Sequence, residues 1–284
     1  MEIVMKDLVI GCSTNYDWNK LKYWINSINR SGFTGDKVMV LMNCDVETAK
    51  KVLNAGFKVI AFNQNEEGHL THSSQIPVHV ERFLHMYNYL RDSETKYRYV
   101  ITTDVKDVVF QKNPSEFIEN CIGDNQLIFA SESIHYKNEP WGDNNLLETF
   151  GPFFHNIYKE NEIYNVGVLA GKANSMQDLF AKIFVMSTNR PIPIVDQSTF
   201  NFMVSMEPYK STSLYLKSEN SWAAQLGTTA DPSKIEQFKP VLLEPSPTLK
   251  DGNVVTSTGK VFTICHQYDR IPEWKKVIEE KYND

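Results

Sequence analysis

Tyr97–Pro114, YRYVITTDVKDVVFQKNP, is the stretch on which the fold turns. Tyr99-Val100-Ile101-Thr102-Thr103 is β-branched and aromatic, the composition of a buried strand. It ends on Asp104, with a second carboxylate, Asp107, three residues on, then apolar Val108-Val109-Phe110 and the stop Asn113-Pro114. A buried strand that delivers two acids at its end suits a divalent cation and phosphate, because hard cations take carboxylate oxygens. Side chains alternate along a strand, so Asp104 and Lys106 share a face and Asp107 points away unless the chain turns at Val105-Lys106. Two readings stay open on these residues: a metal site, or an edge turn whose acids face water.

Working outward, the same alternation recurs. Leu8–Ser13 reads as a strand, and Asp17 is placed to cap a helix bearing Trp18, Leu21, Trp24, Ile25 and Ile28. Lys37–Met42 is a second strand, Val46–Ala55 a helix ended by Gly56, and Phe57–Phe62 a third strand. Asn63–Pro77 reads as a loop. The stripe Val80, Phe83, Leu84, Met86, Tyr87 and Leu90 predicts a helix leading into the Tyr99 strand. This β-α-β-α-β-α-β order predicts an α/β fold with a mainly parallel sheet flanked by helices. Ligands of such sheets sit at the carboxyl ends of the strands. The turn Ser13-Thr14-Asn15-Tyr16 and the turn Asp104–Asp107 are both at such ends, so Ser13, Thr14 and Tyr16 are candidates for the base and ribose of a nucleotide, with Arg82 nearby.

Ser115–Cys121 predicts a short helix and Leu127–Ser131 a fifth strand. Ser133–Asn161 reads as irregular and aromatic, with Trp141, Phe153 and Phe154 able to stack on a sugar or simply to pack. Tyr164–Gly171 is a strand with two glycines. Asn174 is placed to cap a helix using Met176, Leu179, Phe180, Ile183 and Phe184, a core stripe. Asp196-Gln197 opens another helix, where Asp196 is either an N-cap or a group facing a substrate. After Pro208 the pattern is strand-like and loop-rich. Val261–Cys265 predicts a last strand delivering His266, which is either a hydrogen-bonded structural histidine or a metal ligand. Pro272–Tyr282 predicts a terminal helix.

The chain has 284 residues, 42% hydrophobic and 23% charged, as in an ordinary globular protein. Its net charge of −6 argues against a broad nucleic-acid surface. No apolar run approaches ~18 residues, so no transmembrane segment is expected. The start, Met1-Glu2-Ile3-Val4-Met5-Lys6, lacks the pattern of a secretory leader. Cys12, Cys44, Cys121 and Cys265 have no metal or redox spacing, which predicts reduced thiols and a cytoplasmic protein, with peripheral membrane contact left open. GxGxxG, a Walker loop, HExxH, GxSxG and CxxC are all absent. Gly167–Ala173 falls one residue short of a Walker loop and lacks its hydroxyl residue.

Four segments in order resemble the GT-A class of nucleotide-sugar glycosyltransferases. They are the Tyr99 strand with Asp104–Gln111, then Asn165–Gly171, then Asp196-Gln197 with Asn201, and finally Cys265–Arg270. The layout is similar to that of glycogenin-like and blood-group-like galactosyltransferases. The acids resemble a DxD motif spread to DxxD, with Lys106 where the class has its metal-binding acid. The resemblance implies one GT-A-like, Rossmann-like domain over 1–284, with a nucleotide-binding part at about 1–131 and an acceptor part at about 132–284. It implies transfer of a sugar from a UDP-sugar to a glycan or glycoconjugate acceptor, with retention favoured. Mn²⁺ or Mg²⁺ would be held by Asp104, Asp107 and His266. Gly167 would allow close approach of the donor sugar, Asp196 and Gln197 would stand at the reacting sugar, and Arg270 and Lys260 would meet the diphosphate. Two other classes stay open: a non-catalytic nucleotide- or sugar-binding protein on the same fold, and a metal-dependent phosphohydrolase, whose DxDxT pattern Lys106 and Val108 spoil.

Overall fold

The computed structural model describes residues 5–284; the reading of Met1 to Val4 lies outside the described residues. In chain order, β1 (Lys6–Ser13) leads to α1 (Trp18–Arg30), β2 (Asp36–Leu41), α2 (Val46–Asn54) and β3 (Lys58–Ile60). A small hairpin, β4 (Asn63–Gln64) and β5 (Leu70–Thr71), precedes α3 (Val78–Asp92). Next come β6 (Tyr97–Thr103), β7 (Val108–Phe110), α4 (Pro114–Cys121), β8 (Leu127–His135), α5 (Pro140–Tyr158), β9 (Glu162–Lys172), α6 (Ala173–Ser187) and α7 (Asp196–Val204). Shorter pieces follow: α8 (Tyr209–Thr212), β10 (Ser213–Leu216), β11 (Ala223–Gln225), α9 (Leu226–Thr229), α10 (Ile235–Phe238), β12 (Thr248–Lys250), β13 (Asn253–Val255) and β14 (Ile264–His266). The terminal helix is α11 (Pro272–Lys281).

The early helices start where their caps require. The Asp17 carboxylate accepts from the Lys20 N–H at 3.1 Å and the Asp45 carboxylate from the Thr48 N–H at 2.7 Å, satisfying amides that a helix start leaves open. Gly56, at φ 86°, lets the chain leave α2 in a left-handed conformation.

Seven strands form the main sheet in the order β10-β8-β9-β6-β1-β2-β3. All run parallel except β9, which is antiparallel to both β6 and β8. The expected α/β architecture, a mainly parallel sheet flanked by helices, is therefore the observed one. Two apolar layers sandwich the sheet. One includes Val9, Trp24, Ile101 and Phe110, the other Ile10, Phe83, Phe180 and Phe200, all fully or almost fully buried. Truncating one such aromatic to alanine costs about 3–5 kcal/mol. A second sheet, β11-β14-β7, stands beyond the carboxyl end of β6. No helix among the described residues is long and apolar enough to cross a membrane.

Several expectations need correction. Ser133–Asn161 is mostly helix, not irregular chain. Pro140 takes the first helical position, where its missing N–H does no harm, and the Glu139 carboxylate accepts from the Gly142 N–H at 2.6 Å. The breakers Gly151 and Pro152 do interrupt α5: Gly151 is non-helical, at φ 78° and ψ 172°, and two helical pieces meet there at a kink. The preceding strand runs on to His135, through Ser133 at φ 57°. Asn174 lies inside α6 and is not its cap. The region read as a loop holds the β4–β5 hairpin, and the segment after Pro208 contains three short helices besides its strands. The last strand is Ile264–His266, so His266 belongs to the strand itself.

Candidate active site

Asp104 follows β6 directly, and its backbone N–H donates to the Gly167 carbonyl at 2.8 Å. Below it the Trp24 indole N–H donates to Thr103 Oγ1 at 2.8 Å, fixing the strand end. The chain then bends through Val105 and Lys106, with Val105 buried in the core. That bend is the turn the acid spacing demands. It launches β7, which pairs antiparallel with β14 so that Val108 faces His266. Sheet register thus brings the end of the chain beside Asp107, whose carbonyl accepts from the Gln267 N–H at 2.7 Å.

Ligand atoms of Asp104, Asp107 and His266 lie within 4.8 Å of one another. His266 Nε2 is 3.5 Å from Asp104 Oδ2 and 3.8 Å from Asp107 Oδ1. Parallel pairing of β11 with β14 sets Gln225 opposite His266, and His266 Nδ1 is 2.7 Å from Gln225 Oε1. A proton on Nδ1 serves that bond, so Nε2 is the nitrogen that faces the two acids and could be offered to a cation in place of its proton. Two carboxylates and an imidazole so oriented fit a divalent cation. Gly167 closes the wall: a Cβ there would lie 2.7 Å from His266 Cε1 and 2.8 Å from Asp104 Oδ2. Gly171, by contrast, is a packing position against the Gln126 carbonyl.

Arg82 bridges two acids. Its Nη1 donates to Asp104 Oδ1 and its Nη2 to Asp196 Oδ2, the latter at 2.9 Å. The guanidinium of Arg82, expected near the nucleotide, is therefore engaged by carboxylates. The oxygens of Asp104 divide: Oδ1 faces Arg82 and Oδ2 faces His266. Asp196 is the first residue of α7, makes no capping bond, and is buried at 4% side-chain exposure, so the N-cap reading does not hold.

Burial opposes ionisation of Asp104, but Arg82 and His266 outweigh it and hold the carboxyl well below the usual carboxylate range. Burial raises Asp107, and Asp104 and Asp269 add to the shift. Burial alone lowers His266, yet Asp104 and Asp107 bring it above its ordinary value. Burial also raises Asp196, against the pull of Arg82.

Two cavities meet at this cluster. A smaller one of about 240 Å³ is lined by Ser13, Thr14, Tyr16, Val78 and Asp107 among others. Ser13 Oγ is buried there without a hydrogen-bond partner. A larger one of about 390 Å³ is lined by Glu132, Trp141, Gly167, Asp196, Gln197 and His266, among others. Arg82, Asp104 and Arg270 belong to both walls. Arg270 is 43% exposed and lies 3.7 Å from Asp107. Lys106 turns to Asp269 at 3.4 Å rather than into the cluster. Lys260 is exposed and the structure does not bring it to either wall, and Phe153 and Phe154 lie past the bend in α5, away from both.

No protein-family model matches the chain, and no curated protein matches it in sequence. Solved structures match it in fold. The bifunctional glycosyltransferase WbbM superposes with a TM-score of 0.59 at 13% identity, over 98% of this chain and 52% of its own. The galactosyltransferase LgtC, solved with donor and acceptor sugar analogs, gives 0.54 at 10% identity over 96% and 95%. Mouse xyloside xylosyltransferase 1 gives 0.51 at 15% identity over 92% and 97%. The chain has the GT-A glycosyltransferase fold. It spans about half the length of WbbM.

Within this GT-A fold several site residues escaped the sequence reading. Glu132 Oε1 accepts from Asn165 Nδ2 at 2.7 Å and from Gln197 Nε2 at 2.9 Å. Burial pushes its carboxyl up to about 7, with Asn165 opposing. An acid inside the apolar run Leu127–Ile134 was the available signal, because acids are almost never buried without a partner. Gln197 is fully engaged, since its Oε1 also accepts from the Val166 N–H at 2.8 Å and its Nε2 donates to the Tyr164 carbonyl. Gln225 gave no signal; only strand pairing reveals it.

Proposed function

We propose that the chain is a glycosyltransferase that moves a sugar from a UDP-sugar to a glycan or glycoconjugate acceptor with Mn²⁺ or Mg²⁺, and that 1–284 forms one such unit. The observation that carries this reading is the meeting of Asp104, Asp107 and His266 where two cavities join on a GT-A fold. The division of labour follows the cavities. Ser13, Thr14 and Tyr16 serve the base and ribose, in the nucleotide part at about 1–131. The larger cavity, built mainly from residues after 131, takes the donor sugar and acceptor, with Trp141 at its wall.

Asp104 Oδ2, Asp107 and His266 Nε2 would hold the cation. When bound, it supplies charge neutralisation at the diphosphate as the sugar–phosphate bond breaks. Arg82 orients Asp104 and Asp196 together. Asp196 is assigned to the reacting sugar, and Gln197 positions Glu132 and the Val166–Gly167 wall. Gly167 lets the donor sugar approach the backbone. Arg270 is the exposed cation assigned to the diphosphate; no role is assigned to Lys260. The last three segments of the resemblance, Asn165–Gly171, Asp196-Gln197 with Asn201, and Cys265–Arg270, favour retention of configuration by resemblance alone. The four cysteines form no disulfide, which supports a cytoplasmic setting.

A panel of nucleotide sugars tests this reading through Mn²⁺-stimulated release of free sugar. Turnover with one UDP-sugar is expected. Binding without turnover across the panel would instead mark a non-catalytic binding protein.

A further inference from the structure

A second set of ligand-bearing side chains converges away from the site just described. His72, Glu81 and His85 each offer one ligand atom, and these atoms lie within 4.8 Å of one another. Glu81 and His85 are four residues apart on α3, so one helical turn puts both on the same face. His72 follows the β4–β5 hairpin, which folds its ring back onto that face. His72 Nε2 lies 2.7 Å from Glu81 Oε1, and His85 Nε2 lies 3.6 Å from the same oxygen. Phe62 packs on both imidazoles, with ring centroids 4.4 and 4.5 Å away. The His72 backbone N–H donates to Asn43 Oδ1 at 2.9 Å. The rings are therefore held in place by contacts that leave their Nε2 edges toward Glu81.

One atom here has no explanation in the apolar packing. His85 Nε2 is buried and has no hydrogen-bond partner, on a side chain only 10% exposed. At 3.6 Å the Glu81 oxygen is too far for a normal hydrogen bond. A buried polar atom without a partner is costly, and native structures give such atoms a reason to exist.

We propose that His72, Glu81 and His85 form a second metal site, for zinc(II) or a similar borderline divalent cation, that ties the β4–β5 hairpin to α3. Two imidazoles and one carboxylate are a zinc donor set, with the fourth position left to water. Tetrahedral bonds of about 2.0–2.1 Å place ligand atoms about 3.3 Å apart. The observed 2.7 and 3.6 Å to Glu81 fall on either side of that value, and all three ligand atoms lie within 4.8 Å of one another, so side-chain adjustment without backbone rearrangement would complete the set. The cluster at Asp104 has the reverse composition, two carboxylates and one imidazole, and suits harder cations. Glu81 immediately precedes Arg82, which holds Asp104 and Asp196. A cation at Glu81 would thus fix the turn of helix that carries Arg82.

Cobalt(II) binding to the full chain tests the proposal. Wild type is expected to bind one more cobalt per chain than His85→Gln or His72→Gln. That ion should show the strong visible bands of tetrahedral cobalt, lose them on zinc addition, and keep them in His266→Ala. His72 is the more exposed of the two histidines, so His72→Gln carries the comparison if His85→Gln does not fold. The proposal is overturned if wild type shows no tetrahedral bands. It is equally overturned if both glutamine variants, folded by circular dichroism, bind as much cobalt as wild type.

Discussion

The two groups of imidazole and carboxylate, Asp104/Asp107/His266 and His72/Glu81/His85, are built in opposite ways. The first is assembled by topology: a strand end, a bend and a strand from near the end of the chain meet through β7–β14 pairing. Each member has a fixed partner, Gln225 for His266, Arg82 for Asp104 and the Gln267 N–H for the Asp107 carbonyl. The second is local, made by one helical turn and the hairpin before it, and leaves a nitrogen unpartnered. The first also opens on two cavities. The difference teaches that preorganisation for chemistry came from non-local register, whereas the local group has the simpler form of a clasp.

The comparison breaks first at Gly167. The methyl of Gly167→Ala must displace Asp104 or His266, so kcat/KM should fall by about 10²-fold, the size expected for a misplacement near 1 Å. Unchanged kinetics would mean the cluster is not crowded into place. Next, Gln225→Leu removes the partner of His266 Nδ1. Mn²⁺ affinity should drop about 10–100-fold by calorimetry, while cobalt bands from the His72 group stay as they are. Equal loss at both groups would show a general loss of structure instead.

The smallest effect is expected at Glu132. Its folded carboxyl sits at about 7 against an ordinary 4.5, so the folded chain holds this proton more tightly than the unfolded chain does. The resulting penalty is absent below about 4.5 and grows as pH rises toward 7. Glu132→Gln stays neutral, so its Tm should gain on wild type across that window by a few degrees, at roughly 2–4 °C per kcal/mol in larger domains. A pH-independent gap between the two melting curves would remove this assignment.

Much of the frame was legible. Apolar strands alternating with helical stripes up to Thr103 specify a parallel α/β sheet, because each period has one way to bury its face. The acids at the end of β6 were legible for the same reason. Their union with His266 came from resemblance, since nothing in the spacing of residues 107 and 266 encodes a pairing. The α5 helix was missed because Pro140, Gly151 and Pro152 act as breakers in general but here occupy a first turn and a bend. Gln225 was invisible because its use depends on which strand lies alongside. The His72 group was readable at i, i+4 on α3, but its third member needed the hairpin that the sequence presents as loop.

The central claim is that Asp104, Asp107 and His266 hold a cation that receives the donor diphosphate. Calorimetric titration of UDP into wild type and Asp107→Asn, each with Mn²⁺ and with a chelator, addresses it directly. Chelated wild type should bind UDP weakly, because two acids face the diphosphate. Mn²⁺ should strengthen that binding by about tenfold or more, at least about 1.4 kcal/mol, and Asp107→Asn should lose most of the gain. Equal UDP affinity of the wild type with Mn²⁺ and with chelator would contradict the account.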